Sequence, residues 1–278
     1  MNGLSPETYL GLIAIGLGVG TYGTLIGAGG GFVLMPLLLL FFPNETPEKL
    51  TSISLAIVFL NALSGSGAYA LMRRIDYKSA LLFAVATIPG AIFGALNTGF
   101  IPRRLFDVIF GILLVGAAVF LNLHPGMAAK GRTVYFFDHD MMSRHLKETD
   151  GTTFDYAFNP KAGVLLSLFI GYISSFLGIG GGIIHVPALV YLLHFPVHVA
   201  TATSHLILAI MAFTGTVVHI LTGTFPYGVH YMISLGIGVL LGAQIGARLS
   251  RFLTGNWIIR SLAAALGLVG IRILFLAV

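Results

Sequence analysis

Two glycine-rich blocks are the most distinctive chemical feature of this sequence. The first reads Gly-Ala-Gly-Gly-Gly over residues 27–31, and the second reads Gly-Ile-Gly-Gly-Gly over 178–182. Consecutive glycines weaken a helix, permit positive φ and free backbone N–H groups. A short helix that starts after such a break presents unpaired donors and partial positive charge, which suits an anion. The alternative is close helix packing through small residues. The predicted anion-binding glycines are Gly27, Gly29, Gly30, Gly31, Gly178, Gly180, Gly181 and Gly182.

Two blocks of hydroxyl side chains follow the glycine blocks. They predict neutral hydrogen-bond donors for an oxyanion, with one hydroxyl in each block capping a helix as the alternative interpretation. Asn61 lies further along the first of these helices, at helical spacing from the block. The hydroxyl candidates are Thr51, Ser52 and Ser54 in the first half, and Thr201, Thr203 and Ser204 in the second.

Three histidines of the second half lie close to these blocks. His185 is within the second glycine motif, His205 adjoins Ser204, and His219 lies further along the same segment. Histidine titrates near neutral pH, so each is a candidate for proton coupling, and His205 is also a candidate substrate ligand. The alternative is a neutral, hydrogen-bonded histidine. The first half has leucine at two matching places, which are Leu34 and Leu55.

The elements that position these residues are membrane-spanning helices. Of the 278 residues, 56% are hydrophobic and 9% are charged, and the mean hydropathy is +0.94. Such a composition excludes a soluble enzyme and a nucleic-acid binder, and the continuous apolar runs exclude a transmembrane barrel. Ten apolar segments are predicted, at 8–26, 31–43, 50–72, 79–99, 105–123, 162–177, 183–195, 200–222, 228–247 and 257–277.

Two of the ten segments, 31–43 and 183–195, are too short to span a bilayer. Each follows a glycine block, so each is predicted to be a half-helix or a re-entrant piece that lines a cavity. Pro36 and Pro187, at matching places in the two blocks, are predicted to mark helix breaks.

An internal duplication relates the two halves of the chain. The glycine blocks match at an offset of 151, the hydroxyl blocks at 150, and a later Gly-x-x-x-Gly pair at 152. Each half has five segments, so the second half is expected to insert upside down. Placing both termini outside leaves eleven Lys and Arg residues in the inner loops and three in the outer loops, as the positive-inside rule requires. The predicted fold is therefore an all-α polytopic membrane protein with two inverted repeats.

The charged segment 126–160 does not fit in the membrane. It holds five of the ten acidic residues and is predicted to be a cytoplasmic insertion, either a plain linker or a regulatory element. Val134–Phe137 and Thr153–Phe158 are predicted to pair as a small hairpin. The expected organisation is a first membrane repeat at 1–125, the insertion at 126–160 and a second membrane repeat at 161–278.

What the sequence lacks narrows the function further. There is no cysteine, and no Asp or Glu lies inside a predicted span. Carboxylate proton relays and dedicated cation carriers are therefore disfavoured. We expect no cofactor, no resident metal and no enzymatic activity. The expected partners are a small anionic substrate and the lipid bilayer, with a homodimer left open.

The paired Gly-x-Gly-Gly-Gly-x-x-x-x-Pro blocks, each followed by a hydroxyl-rich start of the next span, resemble the TauE/SafE family of sulfite exporters and related anion permeases. The resemblance covers the chain except for 126–160. It implies a cell-membrane location and export of sulfite or a related small sulfur-containing or organic anion. The predicted function is a secondary transporter working by alternating access. An anion channel is the first alternative, and a His-based metal carrier or an intramembrane enzyme is less favoured.

Overall fold

The computed structural model describes residues 6–123, 141–224 and 229–277. Nine of the ten predicted segments each correspond to one helix in this part of the chain, with boundaries shifted by a few residues, and the segment 183–195 corresponds to a six-residue helix followed by a π-helical turn. Eight of the helices there are long and apolar enough to cross a membrane, so the chain is an all-α multi-pass membrane protein. The helices are α1 (Pro6–Leu25), α2 (Gly31–Phe41), α3 (Pro47–Leu71), α4 (Tyr77–Asn97), α5 (Arg103–Leu123), α6 (Pro160–Leu177), α7 (Gly182–Pro187), α8 (Val197–Leu221), α9 (Val229–Leu249) and α10 (Gly255–Ala277).

Capping residues explain where several helices start. Thr46 caps α3 and Pro47 takes its first position, while Asp76 caps α4 through the Ser79 N–H. Asn159 caps α6 in the same way, again followed by proline. The alternative interpretation, that one hydroxyl of 51–54 and one of 201–204 cap their helices, is wrong. Both helices begin earlier, so the two hydroxyl blocks lie inside them.

Both short helices fold back along the long helix that precedes them. In the first half, the rings of Tyr22 in α1 and Phe32 in α2 lie 6.1 Å apart. In the second half, His185 of α7 contacts Ser167 of α6 at 3.2 Å. The 11 residues of α2 extend about 16 Å, too short for a hydrocarbon core of about 30 Å. The prediction of short, glycine-broken helices is confirmed.

The predicted helix breaks at the two prolines differ in outcome. Pro36 lies inside α2, which continues to Phe41, so the break predicted there is wrong. Proline fixes φ near the helical value and removes only one backbone donor, which a short helix tolerates when its neighbours support it. Pro187 is the last residue of α7, and a π-helical turn, Ala188–Leu192, follows it.

The helices pack in pairs, and the duplication relates one pair to another. Helix α1 packs on α9 and α4 packs on α6, while α3 packs on α8 and α5 on α10. Since α1 matches α6 and α4 matches α9 in the repeat, the first two pairs are equivalent to each other. Helices α3 and α8 have the most buried spans of the eight, at 67% and 56%. They form the centre of the protein.

The central pair runs antiparallel. His205 of α8 fills the space beside Gly65 of α3, whereas Leu55 of α3 fills the space beside Gly215 of α8. Helices α5 and α10 are also antiparallel, because Gly111 faces Leu274 while Ala118 faces Gly267. In these two pairs, the corresponding helices of the two halves therefore point in opposite directions.

A two-stranded hairpin covers one end of the helix bundle, which we call the hairpin end. Strand β1 (Met142–Lys147) pairs antiparallel with β2 (Thr153–Phe158), and Met142 lies opposite Phe158. The predicted strand Thr153–Phe158 is confirmed, but its partner is Met142–Lys147 rather than Val134–Phe137, which lies outside the described residues. Phe158 anchors the hairpin by packing on Phe195, with ring centroids 4.9 Å apart.

Small residues allow the α1–α9 contact, and this gives a stability prediction. A methyl group at Gly242 would collide with the carbonyl oxygen of Leu17. We expect Gly242→Ala to lower the free energy of unfolding by about 1–3 kcal/mol, as measured by thermal unfolding in detergent. Gly116→Ala is the control, because Gly116 has open space around it. It should be neutral, or stabilising by up to about 1 kcal/mol. Equal effects of the two changes would contradict this packing.

Candidate functional site

The two glycine loops meet backbone to backbone at the centre of the protein. Six of their glycines have positive φ, between 68° and 80°, a backbone conformation that residues with a side chain rarely adopt. The remaining two, Gly31 and Gly182, lie against the opposite loop. A Cβ atom on Gly31 would lie 2.5 Å from the Ile179 carbonyl oxygen, and one on Gly182 would collide with the Gly27 carbonyl oxygen. Both properties demand glycine. The six glycines with positive φ are Gly27, Gly29, Gly30, Gly178, Gly180 and Gly181.

Two crossed hydrogen bonds connect the loops to the central helices. The Ser54 hydroxyl of α3 donates to the Gly178 carbonyl oxygen at 2.5 Å, and the Ser204 hydroxyl of α8 donates to the Gly27 carbonyl oxygen at 3.2 Å. Each serine belongs to the opposite half from the glycine it binds. The backbone follows the same rule, because Gly27 packs on Thr201 and Gly178 packs on Thr51. Each half therefore completes the loop of the other.

The predicted hydroxyl residues divide into two groups. Ser54, Ser204, Thr51 and Thr201 lie at the loops, as the preceding contacts show. Ser52 instead donates to the Lys49 carbonyl oxygen of its own helix. Thr203 accepts a hydrogen bond from the Asp76 N–H at the hairpin end. The structure thus brings four of the six hydroxyls to the loops.

The hydroxyls at the loops are not equally engaged. Thr201 donates to the Val197 carbonyl oxygen one turn back. The Thr51 hydroxyl is buried and has no hydrogen-bond partner among the described residues. The same holds for Ser174 and Ser175, which lie four and three residues before the second glycine block. A buried hydroxyl without a hydrogen-bond partner costs free energy. A polar ligand that accepted hydrogen bonds from such hydroxyls beside this loop would therefore be stabilised.

A fully buried polar cluster lies on the hairpin side of the loops. The Thr24 hydroxyl donates to Asn61 Oδ1 at 3.0 Å and lies 3.2 Å from His205 Nε2. The Tyr69 hydroxyl donates to the Thr24 carbonyl oxygen at 2.8 Å, and its ring meets that of His205 edge-on. The predicted ligands Asn61 and His205 are therefore in one network, closed by Thr24 and Tyr69.

The equivalent place in the other half is built differently. His219 stands where the repeat has Tyr69, and Ser175 stands where it has Thr24. His219 is fully buried, and neither of its ring nitrogens has a hydrogen-bond partner among the described residues. His185 is separate from both places, because its Nε2 faces Ser167 in α6.

Sequence reasoning missed Thr24, Tyr69, Ser174 and Ser175. One signal was available, since Thr24 and Ser175 match at the offset of 151 that aligns the glycine blocks. Tyr69 had no such signal, because its counterpart is a histidine. Within 6–123, 141–224 and 229–277, no group of three or more His, Asp or Glu residues could hold a metal ion.

A multi-pass helical protein whose duplicated halves meet through glycine loops is the class that this arrangement defines. The chain belongs to the sulfite exporter TauE/SafE family, whose model matches residues 12–273. It is 30% identical over 270 residues to the probable membrane transporter protein YunE of Bacillus subtilis, covering 95% of this chain and 96% of that protein. The protein is thus a membrane transporter of this family.

More distant relatives carry the same description. A probable membrane transporter protein of Methanocaldococcus jannaschii is 24% identical over 275 residues, covering 95% of this chain and 94% of that protein. The probable membrane transporter protein MamO of Paramagnetospirillum magneticum is 26% identical over 302 residues, with 99% of this chain matched to 46% of MamO. No solved structure matches the chain.

The crossed hydrogen bonds give a second stability prediction. Ser54→Ala leaves the Gly178 carbonyl oxygen buried without its donor, which should lower the free energy of unfolding by about 1–3 kcal/mol. Ser52→Ala is a matched control two residues away in the same helix. Its hydroxyl serves only its own helix, so the loss should stay below about 1 kcal/mol. Thermal unfolding of the purified variants measures both, and a larger effect for Ser52→Ala would contradict the assigned role of Ser54.

Proposed function

We propose that this protein exports a small oxyanion, sulfite or a related sulfur-containing or organic anion, across the cell membrane by alternating access. The observation that carries the proposal is the group of unpaired hydroxyls, Thr51, Ser174 and Ser175, beside the second glycine loop. Thr51 lies against Gly178 and Ser174 lies against Gly181, so their free hydroxyls are donors that a small oxyanion at this loop could use. Membership of a family described as sulfite exporters supports the same substrate class.

The site chemistry favours transit over permanent binding. The second glycine loop lies in a run of 86 residues, 162–247, without any Asp, Glu, Lys or Arg. Neutral hydroxyls and backbone N–H groups hold an anion without the strong attraction of a fixed cation. A transported ion must leave as readily as it enters, so donors of this kind suit a carrier. The proposal is therefore transport without catalysis.

The antiparallel relation of α3 to α8 supports the inverted-repeat architecture. In such transporters the substrate site lies where the repeats meet, and one repeat moves against the other. The crossed serine–glycine bonds lie at this meeting point, so a relative movement of the halves would change the loops themselves. Of the three candidate histidines for proton coupling, His219 is favoured, because both of its ring nitrogens lack partners in the described structure.

The charge distribution supports a cytoplasmic hairpin end. Arg73, Arg74 and Lys78 flank the α3–α4 turn at that end, together with basic residues of the hairpin and of the α9–α10 turn. Lys49, Arg103 and Arg104 lie at the opposite end. This asymmetry obeys the positive-inside rule with both termini outside. The membrane potential, negative inside, would then favour exit of the anion.

Transport itself can be tested through Thr51. Thr51→Val removes an unpaired hydroxyl without changing side-chain shape, so stability should be unchanged or improved. We expect sulfite counterflow in proteoliposomes to fall at least about tenfold, the equivalent of about 1.4 kcal/mol of lost binding. The control is Thr87→Val in α4, whose hydroxyl binds the Ala84 carbonyl oxygen.

Counterflow also separates a carrier from a channel, because only a carrier is stimulated by substrate on the far side. Sulfite flux in the unaltered protein without such stimulation would favour the anion channel. Normal counterflow in Thr51→Val would remove Thr51 from the site.

The orientation can be tested in a chain that has no cysteine of its own. Ser143→Cys places a thiol on an exposed position of the hairpin, and Asn44→Cys places one at the opposite end. A membrane-impermeant maleimide should label Asn44→Cys on intact cells and Ser143→Cys only after permeabilisation. Labelling of Ser143→Cys on intact cells would reverse the proposed topology.

A further inference from the structure

A buried ion pair joins the hairpin to the end of α3. The Glu148 carboxylate accepts from Arg74 Nε at 2.9 Å and from Arg74 Nη2 at 2.7 Å, so both of its oxygens are used. The third arm of the guanidinium, Nη1, donates to Ser250 Oγ at 3.2 Å. Arg74 is 5% exposed and Glu148 is 6% exposed. Charges this deeply buried are costly unless they are paired.

The neighbouring carboxylate is already neutralised by other groups. Asp76 lies 3.3 Å from Arg144 Nε and accepts hydrogen bonds from Ser79 and Tyr156. Burial, with the nearby Asp76 carboxylate, raises the pKa of Tyr156, so its hydroxyl stays protonated and remains a donor. Among the described residues, Glu148 is therefore the carboxylate that pairs with Arg74.

We propose that Arg74 is an oxyanion-binding site at the hairpin-end mouth of the transport path, and that Glu148 occupies it in this structure as an internal stand-in for the anion. A guanidinium fork binds two oxygens of one group, and small oxyanions present an oxygen pair much as a carboxylate does. The inference rests on the proposed oxyanion transport, since it assigns a loading position to the same substrate.

The location of Arg74 suits a loading position. Asp76 lies two residues after Arg74, and its backbone N–H donates to Thr203 Oγ1 at 3.2 Å. Thr203 belongs to the hydroxyl block of α8. Only Ser204 separates Thr203 from His205, which belongs to the central polar cluster. An anion that displaced Glu148 from Arg74 would therefore stand at the edge of the residues that surround the glycine loops.

The hairpin has other attachments that do not depend on Glu148. The backbone N–H and hydroxyl of Thr149 both donate to the Met72 carbonyl oxygen, at 3.2 and 2.8 Å. Tyr156 and Phe158 pack on Phe195. Neutralising Glu148 should thus leave the hairpin docked while leaving Arg74 without its counter-charge.

The experiment compares sulfite binding by purified variants. Glu148→Gln should bind sulfite at least tenfold more tightly than the unaltered protein, because the internal competitor is gone. Adding Arg74→Gln should abolish the gain while replacing the ion pair with neutral groups of similar size, which proteins often tolerate. Binding is measured as the shift in thermal unfolding midpoint with sodium sulfite against sodium chloride at equal ionic strength.

Two further variants sharpen the test. Asp155→Asn is the matched control, since it removes a negative charge from the same hairpin at an exposed pair with His145. It should leave sulfite affinity unchanged. Ser250→Ala combined with Glu148→Gln removes the hydroxyl that accepts from Arg74 Nη1, along with its local bond to the Ala247 carbonyl oxygen, and should weaken the gained affinity several-fold. It keeps the site testable if the double glutamine variant does not fold.

The outcomes separate this inference from the proposed function. Equal sulfite affinity in Glu148→Gln and in the unaltered protein would overturn the Arg74 site, and sulfite counterflow by the unaltered protein would still support transport. A gain that requires Arg74, without counterflow in the unaltered protein, would establish the site and refute sulfite transport. A gain that survives Arg74→Gln, or that Asp155→Asn reproduces, would also overturn the site.

Discussion

The backbone contact between the two glycine loops is the constraint on which the rest of this structure depends. It brings main-chain atoms closer together than any side chain would permit, and it does so in the apolar interior, where every polar group needs a partner. The crossed bonds of Ser54 and Ser204 supply two of those partners. Because these serines project from α3 and α8, the loops also determine where the central helices lie.

Much of this architecture could be predicted because its signals are local or repeated. Apolar runs define the helices, and the constant offset between the glycine blocks reveals the duplication. The loop glycines could be singled out because three in a row are incompatible with an ordinary helix. The predicted start of α3, residue 50, is three residues late, because the capping residues Thr46 and Pro47 lie in a polar stretch before the apolar run begins.

What could not be predicted depends on partners far apart in the chain. Nothing near Ser54 indicates that it binds Gly178, because 124 positions separate them. The hairpin was half predicted for a related reason. Thr153–Phe158 has the alternation of a strand, whereas Met142–Lys147 is rich in polar and charged residues and becomes a strand only by pairing. The ion pair of Arg74 with Glu148 likewise joins a helix end to an insertion and has no local signature.

The reciprocal contact at the centre makes the glycine loop and its serine self-complementary. Each half carries both the glycine carbonyl that needs a donor and the serine that provides one for the other half. Two identical copies of such a half could therefore meet antiparallel and satisfy each other in the same way. The halves differ at other central positions, such as Tyr69 against His219 and Leu55 against His205. The contact between the loops is thus reciprocal, while the chemical differences between the two sides of the protein lie in the residues around it.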